Sequence, residues 1–395
     1  MKQRIAIITH ELKGGGVGTM TWYLYQALAS SGDYLPAIIL LATSRSDPAS
    51  MRLASPASWP KGIRSEVMGW RGIPVHHVGA WAVELEFQRY RRRAALDLLL
   101  RDFALFQFVV GSAPWVGATA HLPQPKVVWT ATTTRADRAS RTRNLPFVRR
   151  AWASLMIAWA ESAEKRGLGA ATTVFALSPY TAKEVARLAP GARVVVAPCG
   201  VDPELFRPGA EPNGGYLLSV GRFSDARKNA PLLLEAYARL RQRVTGCPEL
   251  WLAGAPLTQD MAREAERKGQ LAGVRFVGRK GPEELALLYR DAMLFVLASD
   301  EEGQGIVVIE AMASGLPVVS TRCGGPDSLV DQGKTGLLVP VGDAGALCDA
   351  LAHLVRSQDQ RRMMGRAGRK VVEERFSAQE AMAVFPREYE RVLRK

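Results

Sequence analysis

Cysteine is sparse in this sequence. Cys199, Cys247, Cys323 and Cys348 are the only four in 395 residues, tens of residues apart, with no C-x-x-C and no histidine pair nearby. Neither a disulfide framework nor a zinc site is indicated, and a reducing compartment is the natural setting. Long apolar runs are also lacking. The longest stretch without Asp, Glu, Lys or Arg, Phe103 to Pro125, is interrupted by Gln107, Gly111, Ser112, Pro114, Gly117 and His121. That pattern excludes a membrane span and reads as a buried strand, a turn and a helix start. Met1-Lys2-Gln3-Arg4-Ile5 runs directly into strand-like sequence with no small-residue cleavage site behind it, so no signal peptide is expected and the location is expected to be cytoplasmic. Low-complexity tracts and short repeats are missing, and 47% hydrophobic, 23% charged and 8% aromatic residues describe an ordinary globular chain.

Residues 1–200 are short of acid. They carry 25 Lys and Arg against 12 Asp and Glu, whereas 201–395 carry 27 against 26, so nearly all of the net charge of +14 lies in the first half. A one-sided positive field suits an anionic partner, either nucleic acid or an anionic membrane surface. No nucleic-acid-binding module accompanies it, and the basic clusters are not interleaved with a stacking platform, so nucleic acid is not expected. Arg89-Tyr90-Arg91-Arg92-Arg93 and the cluster from Arg135 to Arg150 hold most of the excess, the second leading into the apolar, tryptophan-bearing Ala151 to Ala160. That arrangement suits peripheral attachment to an anionic membrane, here the inner membrane face; the alternative is an amphipathic helix packed within the first domain.

Strand-like apolar segments alternate with helical patterns along the whole chain, which implies parallel sheets flanked by helices. In the first half they are Ile5 to Thr9, Ala37 to Ala42, Pro74 to Val78, Leu105 to Val110, Val127 to Ala131 and Thr173 to Leu177, with an apolar helix over Met20 to Ala29. A second series follows Pro198-Cys199-Gly200: Tyr216 to Val220, Leu250 to Ala253, Arg275 to Val277, Leu294 to Leu297, Pro317 to Ser320 and Gly336 to Val339. The expected fold class is α/β, with two Rossmann-like, doubly wound domains facing a central cleft. The expected domains are 1–198, 199–377 and a C-terminal amphipathic helix in 378–395 that could cross back to the first. In such sheets, ligands bind at the carboxyl ends of the strands.

The most informative stretch is Glu302-Gly303-Gln304-Gly305-Ile306-Val307-Val308-Ile309-Glu310, at a strand-to-helix turn. Glycines there allow close backbone approach, and a helix start suits an anion. Eight residues separate Glu302 from Glu310, about 80° from eclipsed on a helix, so both carboxylates could serve one elongated polar ligand such as a sugar. Read alone, the stretch could equally be a capping loop with one solvated glutamate. Ser219-Val220-Gly221-Arg222 and the following Lys228-Asn229 place a guanidinium and an ammonium at the same sheet edge, where they could clamp a diphosphate. Gly14-Gly15-Gly16-Val17-Gly18 joins the first strand to the first helix, but Thr19 ends the G-x-G-x-x pattern and no acidic residue closes the second strand, which argues against a dinucleotide oxidoreductase.

Over nearly its whole length the chain resembles the retaining glycosyltransferases of family 4, which have the GT-B fold and use nucleotide sugars. The match rests on the E-x7-E pattern of Glu302 and Glu310, the G-R-F…R-K-N segment at Gly221, A-P-C-G-V-D-P-E-L-F at Ala197, and the glycine-rich first loop. The resemblance implies a retaining hexosyltransferase whose donor diphosphate is held by Arg222 and Lys228, with Glu302 on the transferred sugar and Glu310 on the ribose. It further implies that the backbone of Gly303, Gln304, Gly305 and Ile306 lies against sugar and phosphates, Gly15 and Gly16 against the donor, and Arg279 near the nucleobase. Glu302, Arg222 and Lys228 are the catalytic candidates, with no metal and no cofactor beyond the co-substrate. The expected acceptor is a lipid-linked saccharide or glycolipid of envelope polysaccharide synthesis; the alternatives are a nucleotide-sugar epimerase or hydrolase of the same fold, or a transferase acting on a soluble metabolite. Two departures stand out. Many relatives carry histidine in the segments matching Phe106-Gln107-Phe108 and Trp129 to Thr132, where this chain has none, and the family's P-N-G-V-D is here Pro198-Cys199-Gly200-Val201-Asp202. No catalytic histidine is therefore carried over, His10 reads as structural, and Cys199 reads as a packing residue.

Overall fold

The computed structural model describes residues 2–12, 15–143, 146–209 and 215–394. It divides into two compact units, one of residues 1–138, 145–198 and 382–395, the other of 139–144 and 199–381. The strands of the first are β1 (Gln3–Thr9), β2 (Tyr34–Leu41), β3 (Ser65–Trp70), β4 (Ile73–Val78), β5 (Leu105–Val110), β6 (Lys126–Thr130), β7 (Thr173–Ala176) and β8 (Val194–Val196). They form one sheet in the order β3-β4-β2-β1-β5-β6-β7-β8, parallel except for the β3–β4 hairpin. β5 and β6 are buried from end to end; helices cover both faces of such a sheet, which is why these strands read as unbroken apolar runs. The helices are α1 (Gly16–Ser30), α2 (Glu86–Arg89), α3 (Ala94–Leu100), α4 (Thr134–Arg143, of which residues 139–143 are grouped with the second unit), α5 (Phe147–Gly169) and α6 (Pro179–Leu188).

The second unit carries β9 (Tyr216–Arg222), β10 (Glu249–Ala255), β11 (Val274–Gly278), β12 (Leu294–Leu297), β13 (Val318–Thr321) and β14 (Gly336–Val339). All are parallel, in the order β11-β10-β9-β12-β13-β14. That is the doubly wound 3-2-1-4-5-6 arrangement, whose order reverses between β9 and β12. Its helices are α7 (Ala230–Arg243), α8 (Gln259–Arg267), α9 (Pro282–Arg290), α10 (Ile306–Ala313), α11 (Ala344–Arg356) and α12 (Gln358–Arg375).

Four local readings of the sequence are corrected. β3 and β8 were not anticipated: β3 exposes alternate residues, Val67 among them, and β8 has only three residues. The helix start expected before Pro125 is a 3-10 turn, Ala113–Thr119, opened by Pro114. The single C-terminal helix is two, α13 (Ala378–Met382) and α14 (Val384–Leu393). Pro386 lies in the first turn of α14, where a missing N–H leaves no helical bond unmade.

α14 belongs to the first unit, and its contacts explain why. Phe385 is fully buried, its ring centroid 4.8 Å from that of Trp129 and 4.5 Å from that of Phe175. The Tyr389 hydroxyl donates to Gln107 Oε1 at 2.7 Å. Glu388 accepts from Thr173 Oγ1 at 2.6 Å and from Arg193 Nε at 3.0 Å. Burial opposes its charge, but hydrogen bonds from Arg391, Arg193 and Thr173 outweigh it and hold the carboxyl at about 2. Replacing Phe385 by Ala should therefore destabilise the first unit by about 3–5 kcal/mol, read from urea unfolding; a midpoint within error of wild type would mean that α14 is not part of that core.

Candidate functional site

In the second unit the crevice at the reversal of strand order is flanked by the loops after β9 and β12. The β9 loop runs from Arg222 through the 3-10 turn Ala226–Lys228 to Asn229, which caps α7. Asn229 sits at φ 42°, with its Oδ1 accepting from Leu232 N at 3.2 Å and its Nδ2 donating to Asp300 Oδ1 at 2.7 Å. One side chain thus ends the turn, starts the helix and ties the two loops together.

The β12 loop leads into α10, whose N-cap is Gly305 at φ 88°, with no side chain capping the helix. Only glycine holds that left-handed conformation without strain, and the helix start keeps amide hydrogens and its positive dipole end unmasked. Gly325 serves by its small size: a Cβ there would lie 2.3 Å from Gln304 Cα. The Gln304 side chain is spent on the chain itself, accepting from Cys199 N at 2.9 Å and donating to Cys199 O at 3.0 Å. Its carboxamide is therefore not a ligand group, which leaves its backbone, and Cys199 is buried packing with its thiol pushed up by burial.

Glu302 is held at both ends. Its N–H donates to Cys323 O at 2.8 Å and its carbonyl accepts from Gly325 N at 2.7 Å. Its Oε1 accepts from Lys228 Nζ at 2.5 Å and from Ser299 Oγ at 2.6 Å. Burial opposes the charged form, but the Lys228 ammonium and these hydrogen bonds outweigh it and keep the carboxyl below its ordinary range. Arg222, at the end of β9, lies 3.4 Å from Asp225 and keeps 44% of its side chain exposed. Arg227 is almost covered, bonding Glu301 Oε2 at 3.0 Å. Three cations thus meet carboxylates at the head of the crevice, and Arg222 is the one most open to solvent.

Glu310 lies on α10, one turn after Ile306. It accepts from the Tyr289 hydroxyl at 2.8 Å. Burial pushes its carboxyl up to about 7, only partly offset by that hydrogen bond. Ile306 begins α10, Gly303 is buried beside Glu302, and Arg279 is exposed just past β11. Gly15, at φ 97°, caps α1 and Gly16 begins it, both in the first unit; Gly14 lies outside the described residues. His10 stacks on Trp115 with ring centroids 4.8 Å apart, and burial lowers it to about 4. Gln107, in the segment where a family histidine was expected, is a fully buried mid-strand residue bonded to Tyr389. Among the described residues, no group of three His, Cys, Asp or Glu side chains is placed to hold a metal ion.

Sequence reasoning did not identify Asp225, Arg227, Asn229, Ser299, Asp300, Glu301 or Tyr289 as part of this network. Apart from Tyr289 they neighbour the residues singled out, yet no spacing rule shows that the two loops interlock.

The raised Glu310 generates a pH dependence. Between about 4.5 and 7 the folded chain keeps a proton that the unfolded chain gives up, so stability falls as pH rises through that window. Glu310→Gln should flatten this slope by at most about 3 kcal/mol, measured as the difference in urea unfolding between pH 5 and pH 8. Equal slopes in the two proteins would show that Glu310 ionises normally.

Comparison with known proteins gives a consistent result. A family model described as glycosyl transferases group 1 matches residues 201–371, and one described as glycosyltransferase family 4 matches residues 14–205. Over 190 residues the chain is 36% identical to the D-inositol 3-phosphate glycosyltransferase of Corynebacterium urealyticum, an alignment covering 43% of this chain and 45% of that protein. Over 227 residues it is 32% identical to the GDP-mannose-dependent alpha-(1-6)-phosphatidylinositol monomannoside mannosyltransferase of Mycobacterium tuberculosis, covering 52% and 59%. The chain thus spans about half the length of the curated relatives it matches. Among solved structures, the sucrose-phosphate synthase of Thermosynechococcus elongatus superposes with a TM-score of 0.78 at 22% identity, covering 99% of each chain, a likeness of fold. That fold is GT-B.

Proposed function

The chain belongs to the family 4 glycosyltransferases, with the model of that description on residues 14–205 and the group 1 model on residues 201–371, and we propose that it transfers a sugar from a nucleotide-sugar donor to a hydroxyl acceptor with retention of anomeric configuration and without a metal. The observation that carries this reading is the grouping of Arg222, Lys228 and Glu302 at the strand-order reversal of the second unit, beside the uncapped start of α10.

In this reading the donor diphosphate takes Lys228 away from Glu302, and Arg222 swings from Asp225 to the same phosphates. Both cations then face the oxygen on which negative charge grows as the glycosidic bond to the leaving nucleotide breaks. The α10 N-terminus adds its dipole there. The freed Glu302 carboxylate accepts hydrogen bonds from hydroxyls of the transferred sugar. Glu310, deprotonated in the complex, accepts from the ribose hydroxyls. The Gly303 to Ile306 backbone lines the sugar and phosphates, and Arg279 borders the nucleobase. The donor assignment is confined to the second unit.

The proposed acceptor is a lipid-linked saccharide or glycolipid of envelope polysaccharide synthesis. One of the relatives is named for a phosphatidylinositol monomannoside acceptor and GDP-mannose. The working place would be an anionic membrane surface, reached from the cytoplasm. Among the described residues no helix is long and apolar enough to cross a membrane.

Thermal unfolding against GDP, UDP, ADP and dTDP, each without added metal, tests the donor site. A nucleotide at about 100 times its Kd should stabilise the protein by about 2.7 kcal/mol. One of the four should raise the midpoint in wild type, and Arg222→Ala should abolish that response. No response to any of them, or the same response in the variant, would remove the donor-site assignment; a response that needs Mg2+ would remove metal independence.

A further inference from the structure

α5 changes character along its length. In its C-terminal part Ala160, Ala163, Glu164, Gly167 and Leu168 are buried. In its first 13 residues Met156 and Ile157 continue that face half-buried, but five other large apolar side chains face water: Phe147 is 85% exposed, Val148 78%, Trp152 64%, Leu155 58% and Trp159 38%. At 3.6 residues per turn these five span an arc of about 140°, and that arc points roughly 150° away from the buried face. The packing that anchors the helix therefore leaves most of this arc uncovered, with only Trp159 at its far end partly packed. An exposed apolar strip of this kind marks an interaction surface rather than scattered surface hydrophobics.

The charges around the strip identify its partner. Residues 147–159 contain Arg149 and Arg150 and no Asp or Glu. Both arginines are exposed and lie outside the apolar arc. At the far end Trp159 meets Phe87 of the α2 segment with ring centroids 5.4 Å apart, and the Arg91 guanidinium lies 5.7 Å from the Phe87 ring. The nearby acids are already paired, Glu86 with Arg138 and Glu161 with Arg135. Aromatic and aliphatic side chains rimmed by arginine suit the boundary between headgroups and acyl chains of an anionic bilayer.

We infer that the first half of α5 is a membrane-docking helix that lies in the plane of an anionic lipid surface, with Phe147, Trp152 and Leu155 inserted and Arg149, Arg150 and Arg91 on the headgroups. The helix is tied to the loops above the sheet: Glu164 Oε1 accepts from Ala113 N at 2.9 Å, and Oε2 accepts from Thr134 N at 2.8 Å. Ala113 begins the turn after β5 and Thr134 begins α4, both at the carboxyl edge of the sheet, where open α/β sheets bind ligands. Docking would hold those loops at the bilayer. That a lipid-linked acceptor meets them there rests on the glycosyl-transfer reading; docking itself does not.

The test uses the full chain with neutral phosphatidylcholine vesicles and with vesicles that also contain phosphatidylglycerol, separated by flotation at low salt. Wild type should float with the anionic vesicles, with a blue shift of tryptophan emission, and should be released by high salt. Trp152→Ser combined with Leu155→Ser, and separately Arg149→Gln combined with Arg150→Gln, should each lower the bound fraction about tenfold or more. Circular dichroism and the nucleotide-induced thermal shift of wild type should persist in both variants, which separates failure of docking from failure of the donor reading. Wild type that stays unbound or floats equally with neutral vesicles, or variants that float like wild type, would overturn the inference. It would also be overturned by wild type that ignores vesicles but self-associates in sedimentation, with dispersal in the Trp152/Leu155 variant; that result would assign the face to a second copy.

Discussion

The 2.5 Å contact between the Lys228 ammonium and the Glu302 carboxylate is the interaction around which the second unit's site is arranged. Each side chain is only 13% exposed, so neither charge could be left there alone without a large desolvation cost. The surroundings share the load. Ser299 adds a second donor to Glu302, the loop backbone is fixed by bonds to Cys323 and Gly325, and Asn229 ties the two loops through Asp300. A buried ion pair of this kind adds little net stability compared with an apolar pair of the same volume. In the proposed reading its value lies in position: it holds a cation and an acceptor carboxylate together at a strand-order reversal, where a ligand carrying both phosphate and hydroxyls would separate them.

Glu310 is tuned the opposite way. Burial outweighs the hydrogen bond from the Tyr289 hydroxyl and raises it to about 7, while Glu302 is lowered by Lys228. Two glutamates eight residues apart therefore have different protonation tendencies near neutrality, and only the environment distinguishes them.

In the first unit the same economy of polar groups serves anchoring. Buried Glu164 bridges the backbone at the starts of two loops, and buried Gln107 receives the hydroxyl of Tyr389 from the C-terminal helix. Glu388 collects Thr173, Arg193 and Arg391. Each joins segments far apart in sequence, and each sits where an unpaired polar group would be costly. The basic excess of this half is partly absorbed by such pairs and partly displayed, as in the arginines that flank the exposed aromatics of α5.

How much could be read in advance depended on whether the signal was local. Parallel strands buried on both faces write themselves as apolar runs, so Leu105–Val110, Leu294–Leu297 and Gly336–Val339 were legible to the residue. β3 was not, because an edge hairpin alternates exposed and half-buried residues, and the break at Ala383 depended on the placement of one proline. The candidate residues at 222, 228, 302 and 310 were singled out because glycines, charges and helix starts mark the strand-to-helix turns. Their partners were not. That Lys228 faces Glu302, that Gln304 turns inward to Cys199, and that Phe147, Val148, Trp152 and Leu155 stay uncovered are consequences of which loops and faces the two sheets bring together. Composition, charge asymmetry and the order of elements are properties of the sequence itself. Pairing, burial and the resulting shifts of ionisation arise only in tertiary structure, because they depend on distances between residues that the chain keeps tens to hundreds of positions apart.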